Sequence, residues 1–110
     1  MFDRRKFLLA LAVGAYAPPL HAQTHAPRIH RVEIENFVFK PARIEVRAGD
    51  IVVWLNRDFA PHTATADNKG WGTGLLKKDA TPRLVARRPG RLSYHCAFHP
   101  HMKGMIVVAA

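Results

Sequence analysis

Apolar residues along this chain alternate instead of recurring at helical spacing. Val32 and Ile34, Ile44 and Val46, and Ile51, Val53 and Leu55 each follow a period of two, the pattern of strands with one face against a core. Between Arg91 and Cys96 the same alternation sets Leu92, Tyr94 and Cys96 on one face and Arg91, Ser93 and His95 on the other. Met105 to Ala109 is apolar throughout, which predicts a last strand buried between two sheets, with Met105 in the core. Trp54 is assigned to the core as well. Turn chemistry breaks the chain at short intervals: Lys40-Pro41, Ala48-Gly49-Asp50, Asp67-Asn68-Lys69-Gly70, Arg88-Pro89-Gly90 and Lys103-Gly104. Nothing sustains helical periodicity, and at most a short turn of helix fits near Lys69 to Lys78. The pattern predicts an all-β chain, a small antiparallel sandwich or barrel.

Residues 1–22 depart from this pattern. Arg4, Arg5 and Lys6 precede an uncharged, mostly apolar run from Phe7 to Ala17, and Leu20-His21-Ala22 ends on a small residue. That order is an export signal with cleavage after Ala22, and Asp3-Arg4-Arg5-Lys6-Phe7-Leu8 resembles the twin-arginine form. The apolar run is far shorter than the roughly 20 residues a bilayer requires. The expected organisation is therefore a signal at 1–22 and one domain at 23–110, delivered to a bacterial periplasm.

Composition narrows the function. With 110 residues there is room for one domain, and 48% apolar residues are enough for a core. The net charge of +9 becomes +7 once the signal is subtracted. Lys77, Lys78, Arg83, Arg87, Arg88 and Arg91 crowd into one stretch, a solvated face or a surface that steers an acidic partner. Nucleic acid is excluded as a partner by the absence of aromatic interleaving or a binding motif. A single cysteine, Cys96, excludes an intramolecular disulfide. A free thiol in an oxidising compartment is a liability, so this one calls for a chemical reason.

Its neighbours supply one. Tyr94-His95-Cys96-Ala97-Phe98-His99-Pro100-His101-Met102 places a thiol, three imidazoles and a thioether within nine residues. Sulfur donors stabilise Cu(I) and imidazoles Cu(II), so this donor set suits a copper ion that cycles between the two. Cys96, His99 and Met102 can close one loop around such an ion. The fourth ligand must come from elsewhere, and His62, just after the strand Ile51 to Leu55, is the candidate.

From about Phe37 to Val108 the chain resembles the cupredoxins, the blue-copper proteins, and among them the amicyanin subgroup. The matching stretches are Val53-Trp54-Leu55-Asn56-Arg57-Asp58, Pro61-His62-Thr63, Gly74-Leu75-Leu76 and Tyr94 through Gly104. The Cys-x2-His-x2-Met spacing falls on Met102, whereas the longer plastocyanin spacing would fall on Gly104. The resemblance implies a Greek-key β-sandwich with one type 1 copper ion at one end, held by His62, Cys96, His99 and Met102. It implies a single-electron carrier and not an enzyme, monomeric, whose His99 edge meets redox partners amid Phe98, Pro100 and Pro61. A dehydrogenase donor and a c-type cytochrome acceptor are possible neighbours. The alternative is a copper-trafficking module, which would need a more open, Met-rich site. The chain departs from the subgroup at Thr63, where Asn commonly ties the two ligand loops, and at Ala97-Phe98, where Thr-Pro is common.

Other histidines receive plainer readings. His101 offers a rival ligand spacing, His95 points away from Cys96, and His25 and His30 belong to a solvated lead-in. Gly70-Trp71-Gly72-Thr73-Gly74 lacks the helix start and Lys of a phosphate loop, and reads as a turn.

Overall fold

The computed structural model describes residues 25–110. The expected export signal lies outside the described residues. The chain forms eight strands: β1 (Ile29–Glu35), β2 (Val38–Lys40), β3 (Arg43–Arg47), β4 (Ile51–Asn56), β5 (Thr65–Ala66), β6 (Arg83–Val85), β7 (Gly90–His95) and β8 (Lys103–Ala109). They build two four-stranded sheets, ordered β2-β1-β4-β6 and β3-β8-β7-β5. No helix occurs among the described residues, so the segment expected to turn helically is irregular, tied down by the bridges Thr65 to Gly72 and His62 to Leu76.

The sheets are mixed, which corrects the expectation of a purely antiparallel sandwich. β1 pairs in parallel with β4, and β3 with β8. The cause is the run from β2 to β3. Pro41 has no N–H to give a ladder, and there the chain leaves the first sheet and continues in the same direction in the second. It returns only after the β3–β4 turn, so β4 rises beside β1 with the same polarity. As a result β1, β4 and β7 all deliver their C-terminal ends to one end of the sandwich.

Val32, Ile34 and Val46 face inward as the pattern demands, with Ile106 and Val108 of β8 beside them. On β4 the inward row is the opposite of the expected one: Val52, Trp54 and Asn56 are fully buried, while Ile51 and Leu55 are half-buried on the outer face, because apolar residues occupy both faces of that strand and alternation alone does not choose between them. Aromatic rings fill the middle. Trp54 and Phe39 each meet Tyr94 edge-on, at 5.5 and 4.8 Å between centroids, and the Trp54 Nε1–H donates to the Tyr94 hydroxyl at 3.3 Å. Burial pushes the Tyr94 phenol up to about 12, only partly offset by that bond. β8 is not buried on both faces, however. Its burial alternates, with Gly104, Ile106 and Val108 inside and Met105 and Val107 half-buried, because it lies in the middle of a sheet whose outer face meets solvent. Met105 therefore lies outside the core, beside a cavity of about 260 Å³ that it shares with Tyr94 and Lys103.

The two lead-in histidines are also not simply solvated. Asp50, 1% exposed in the β3–β4 turn, accepts hydrogen bonds from the N–H groups of Arg28 and Arg47 and contacts the Nε2 atoms of His25 and His30, both at 2.9 Å. Gly49 makes that turn possible with a φ of +100°. The Arg47 N–H is the largest influence holding the Asp50 carboxyl well below the usual range, against the opposing effect of burial.

Candidate metal centre

Cys96 follows the last residue of β7, and alternation turns its thiol inward, where it is fully buried. Three backbone bonds shape the loop after it: Met102 N–H to His99 carbonyl (2.8 Å), His99 N–H to Cys96 carbonyl (3.2 Å) and Cys96 N–H to Met102 carbonyl (3.1 Å). Cys96 and Met102 are thus paired at the loop's two feet. Met102 is buried, His99 half-buried and His101 exposed.

His62 reaches the same place from the end of β4. Its N–H and carbonyl pair with Leu76, at 3.1 and 2.8 Å. Its imidazole is fully buried, with Nε2 2.8 Å from Asp58 Oδ2 and Nδ1 3.7 Å from Cys96 Sγ. An ionised carboxylate only accepts, so Nε2 carries the hydrogen, and in the neutral imidazole Nδ1 is left to present its lone pair to the sulfur. Burial acts to raise the Asp58 carboxyl, but the N–H groups of Phe37 and Asn36, together with His62, bring it below the ordinary value.

Of the four sequence-derived residues, Cys96 and His62 stand face to face. The His99 ring lies 5.5 Å from that of His62 between centroids, and Met102 is packed in the core cluster that also holds Cys96. No three His, Cys, Asp or Glu side chains among the described residues are already closed into an ion-holding group. The donor set nevertheless fits a copper ion. It offers a buried thiol whose hydrogen-bond contact is an imidazole, a lone pair oriented by a carboxylate, and a thioether and second imidazole from one short loop.

Thr63 answers the question raised by the absent Asn. Its Oγ1 accepts a hydrogen bond from the Ala97 N–H at 2.8 Å and contacts Thr65 Oγ1 at 2.8 Å, tying the His62 loop to the Cys96 loop. His95 projects to the other face as expected and meets Asp67, with Nδ1 2.6 Å from Oδ1.

Three contributors escaped the sequence reading. Asp58 was legible only as a carboxylate four residues before His62. Asn56, fully buried, donates to the carbonyls of Ala60 and Leu76 and accepts from the Asp58 N–H, fixing the chain that carries His62. Phe37 sets its ring edge-on to both imidazoles, 4.9 Å from each between centroids. It sits at a φ of 61° after Asn36 at 57°, a turn in which glycine is usual at the second place. Asp58 accepts the N–H of both residues, and nothing in the sequence pattern marks the long-range contact.

Outside this centre the surface is apolar. Phe59, Leu75 and Phe98 are exposed at 90%, 54% and 53%, and Pro61 and Pro100 are exposed beside them. Lys78 Nζ stands 4.9 Å above the Phe59 ring.

The two-sheet fold with a buried thiol and imidazole at one end agrees with comparisons against known proteins. The chain matches the family described as Cupredoxin-like domain over residues 6–108, and it belongs to that family. Within the family it is most like the amicyanins. It is 32% identical to amicyanin of Paracoccus denitrificans over 85 residues, covering 70% of this chain and 63% of that protein. It is 31% identical to amicyanin-alpha of Methylorubrum extorquens over 105 residues, covering 90% and 85%. An oxidised amicyanin variant of known structure is 29% identical and superposes with a TM-score of 0.68 over 72% of this chain and 80% of the other. A purple cupredoxin of Nitrosopumilus maritimus, 22% identical, shares the fold with a TM-score of 0.67 over 73% and 99%.

Proposed function

We propose that the protein is a periplasmic blue-copper electron carrier, holding one type 1 copper through His62, Cys96, His99 and Met102. The observation that carries the reading is the buried Cys96 Sγ facing His62 Nδ1 at 3.7 Å while Asp58 occupies the other nitrogen. Bound copper would supply one-electron chemistry by alternating between Cu(I) and Cu(II). The chain's own residues would do the rest. Asp58 orients His62, Thr63 holds the two loops at one separation, and burial of Cys96 and Met102 excludes water. A set of four donors leaves no position for a substrate, so the role is transfer and not catalysis. The half-buried His99, ringed by Phe37, Phe98 and Pro100, is the electron port, and Phe59 and Leu75 widen the apolar surface for a redox partner. Lys77 and Lys78 at its rim favour a partner with acidic residues there, with a dehydrogenase and a c-type cytochrome as the donor and acceptor classes. Residues 1–22 would be removed on twin-arginine export, leaving 23–110. No helix among the described residues is long and apolar enough to cross a membrane.

Purified protein given Cu(II) is expected to develop an intense blue sulfur-to-copper band that a mild reductant bleaches reversibly. Cys96→Ser and His99→Ala abolish the band, and His101→Ala leaves it. Failure of the native chain to turn blue, or a band that survives Cys96→Ser, overturns the proposal. A band lost with His101→Ala and kept with His99→Ala would overturn only the ligand assignment.

A further inference from the structure

The end of the sandwich opposite the candidate metal centre gathers arginines. Arg28 and Arg47 bring their N–H groups to opposite oxygens of Asp50, each at 3.0 Å. The Ala86 N–H donates to the Asp50 carbonyl at 2.8 Å, and the chain runs on into Arg87 and Arg88. Further along the ladder, Arg31 and Arg83 flank Val53 in register. All six side chains are exposed, and none enters an ion pair among the described residues. The acidic residues do not offset them. Glu33, Glu35 and Glu45 pair with Arg57, Lys40 and Arg43, Asp58 and Asp67 engage histidines, and Asp79 lies at the other end of β4, where its N–H bonds the Asn56 carbonyl. Asp50 itself is buried and occupied by two amides and two imidazoles. On the outer face of the first sheet, Ile29, Ile51 and Val85 share one row of the register, with Ile29 and Val85 exposed at 51% and 38%.

This pole is at the wrong end to dock a redox partner. β4 rises six residues from Ile51 to Asn56, about 20 Å at ~3.3 Å per residue, before the chain reaches His62. Electron tunnelling weakens exponentially with distance, so an acidic partner drawn to these arginines would be held away from the electron port. We propose that the arginine pole and its aliphatic row form a docking surface for an anionic phospholipid membrane, which leaves the metal end facing outward. Charge complementarity carries the choice of occupant. Guanidinium groups bind phosphate by bidentate hydrogen bonds, basic residues strengthen attachment to anionic headgroups additively, and three aliphatic residues can enter the headgroup boundary. A protein interface would be expected to present an aromatic anchor, and the six arginines surround none.

The test is co-sedimentation of the protein with phosphatidylglycerol or phosphatidylcholine vesicles at about 10 mM ionic strength, where charges act over ~30 Å. The expected result is binding to phosphatidylglycerol that weakens as salt rises, and little binding to phosphatidylcholine. Replacing Arg28, Arg87 and Arg88 together with Gln should weaken it by about a hundredfold, roughly fivefold for each guanidinium, while Lys77→Gln with Lys78→Gln leaves it nearly unchanged. All forms share the same N-terminus, so the difference between them reads this face alone, and matching thermal unfolding verifies that each variant is folded. No binding to phosphatidylglycerol, equal binding by the triple variant, or equal loss from the lysine pair overturns the proposal. Binding to soluble polyglutamate with none to vesicles also overturns it and assigns the face to an acidic protein. None of these outcomes depends on copper.

Discussion

A methyl group added at position 104 would lie 2.2 Å from Tyr94 Cζ and 2.4 Å from its hydroxyl. Gly104 pairs directly with Tyr94 across β7 and β8, just after the loop that ends at Met102, so the ring occupies the space a side chain would need. Gly104→Ala should cost about 1–3 kcal/mol through overpacking, read as a lower urea midpoint with an unchanged slope. At Thr63 the effect is the reverse, a missing acceptor in place of a missing space. Thr63→Val keeps the shape but takes the acceptor from the Ala97 N–H, at a cost of about 0.5–1.5 kcal/mol, and Thr63→Ser should restore most of the loss. Equal stability of Val and Thr at this position would show that the tie between the loops contributes nothing. Both residues stood in the sequence without their roles. Gly104 read as ordinary turn chemistry, and Thr63 left open whether a hydroxyl could replace an amide, because the answer depends on where residue 97 lies.

Strands were legible because half-burial imposes a period of two, and Ile51 to Leu55 needed only one more residue to match β4. Pairing was less legible. On β4, apolar on both faces, even the inward face was misassigned, since Val52, Trp54 and Asn56 turn to the core in place of Ile51 and Leu55. Alternation also does not say which neighbour lies alongside, and the parallel partners of β1 and β3 follow from a change of sheet at Pro41 that has no hydrophobic signature. The same limit hid the fastening of the β3–β4 turn. Asp50 lies 25 residues from His25 and 20 from His30, separations at which sequence spacing carries no information. Its folded carboxyl is held low, so the stabilisation it contributes is complete above the ordinary carboxylate range, near ~3.9, and is lost as pH falls below that range. Asp50→Asn should therefore melt at lower temperature than the native chain at neutral pH, with the gap narrowing at increasing acidity below about pH 4. A gap that stays constant in melts across that series would refute the assignment.

The basic stretch between Lys77 and Arg91 is one feature of the sequence and two features of the molecule. The chain descends along β6 within it, leaving Lys77 and Lys78 beside the apolar surface and Arg87 and Arg88 at the far end, so proximity in sequence misreported proximity in space. The proposed donor set was easier to read than the charge because three of its members share one loop. His62 was inferred from strand context and donor arithmetic, whereas Asp58 and Phe37 required the assembled fold. A metal bound only by the folded chain should raise stability with its concentration, by about 2.7 kcal/mol at a hundredfold excess over its dissociation constant. Thermal unfolding with and without Cu(II) checks this, and an unshifted midpoint would count against a site built by folding. Cys96 and His62 are 34 positions apart and arrive from strands in different sheets, β7 and β4. An unfolded chain can present the loop donors but not the imidazole opposite them, so the proposed four-donor site is complete only once the two sheets have closed on each other.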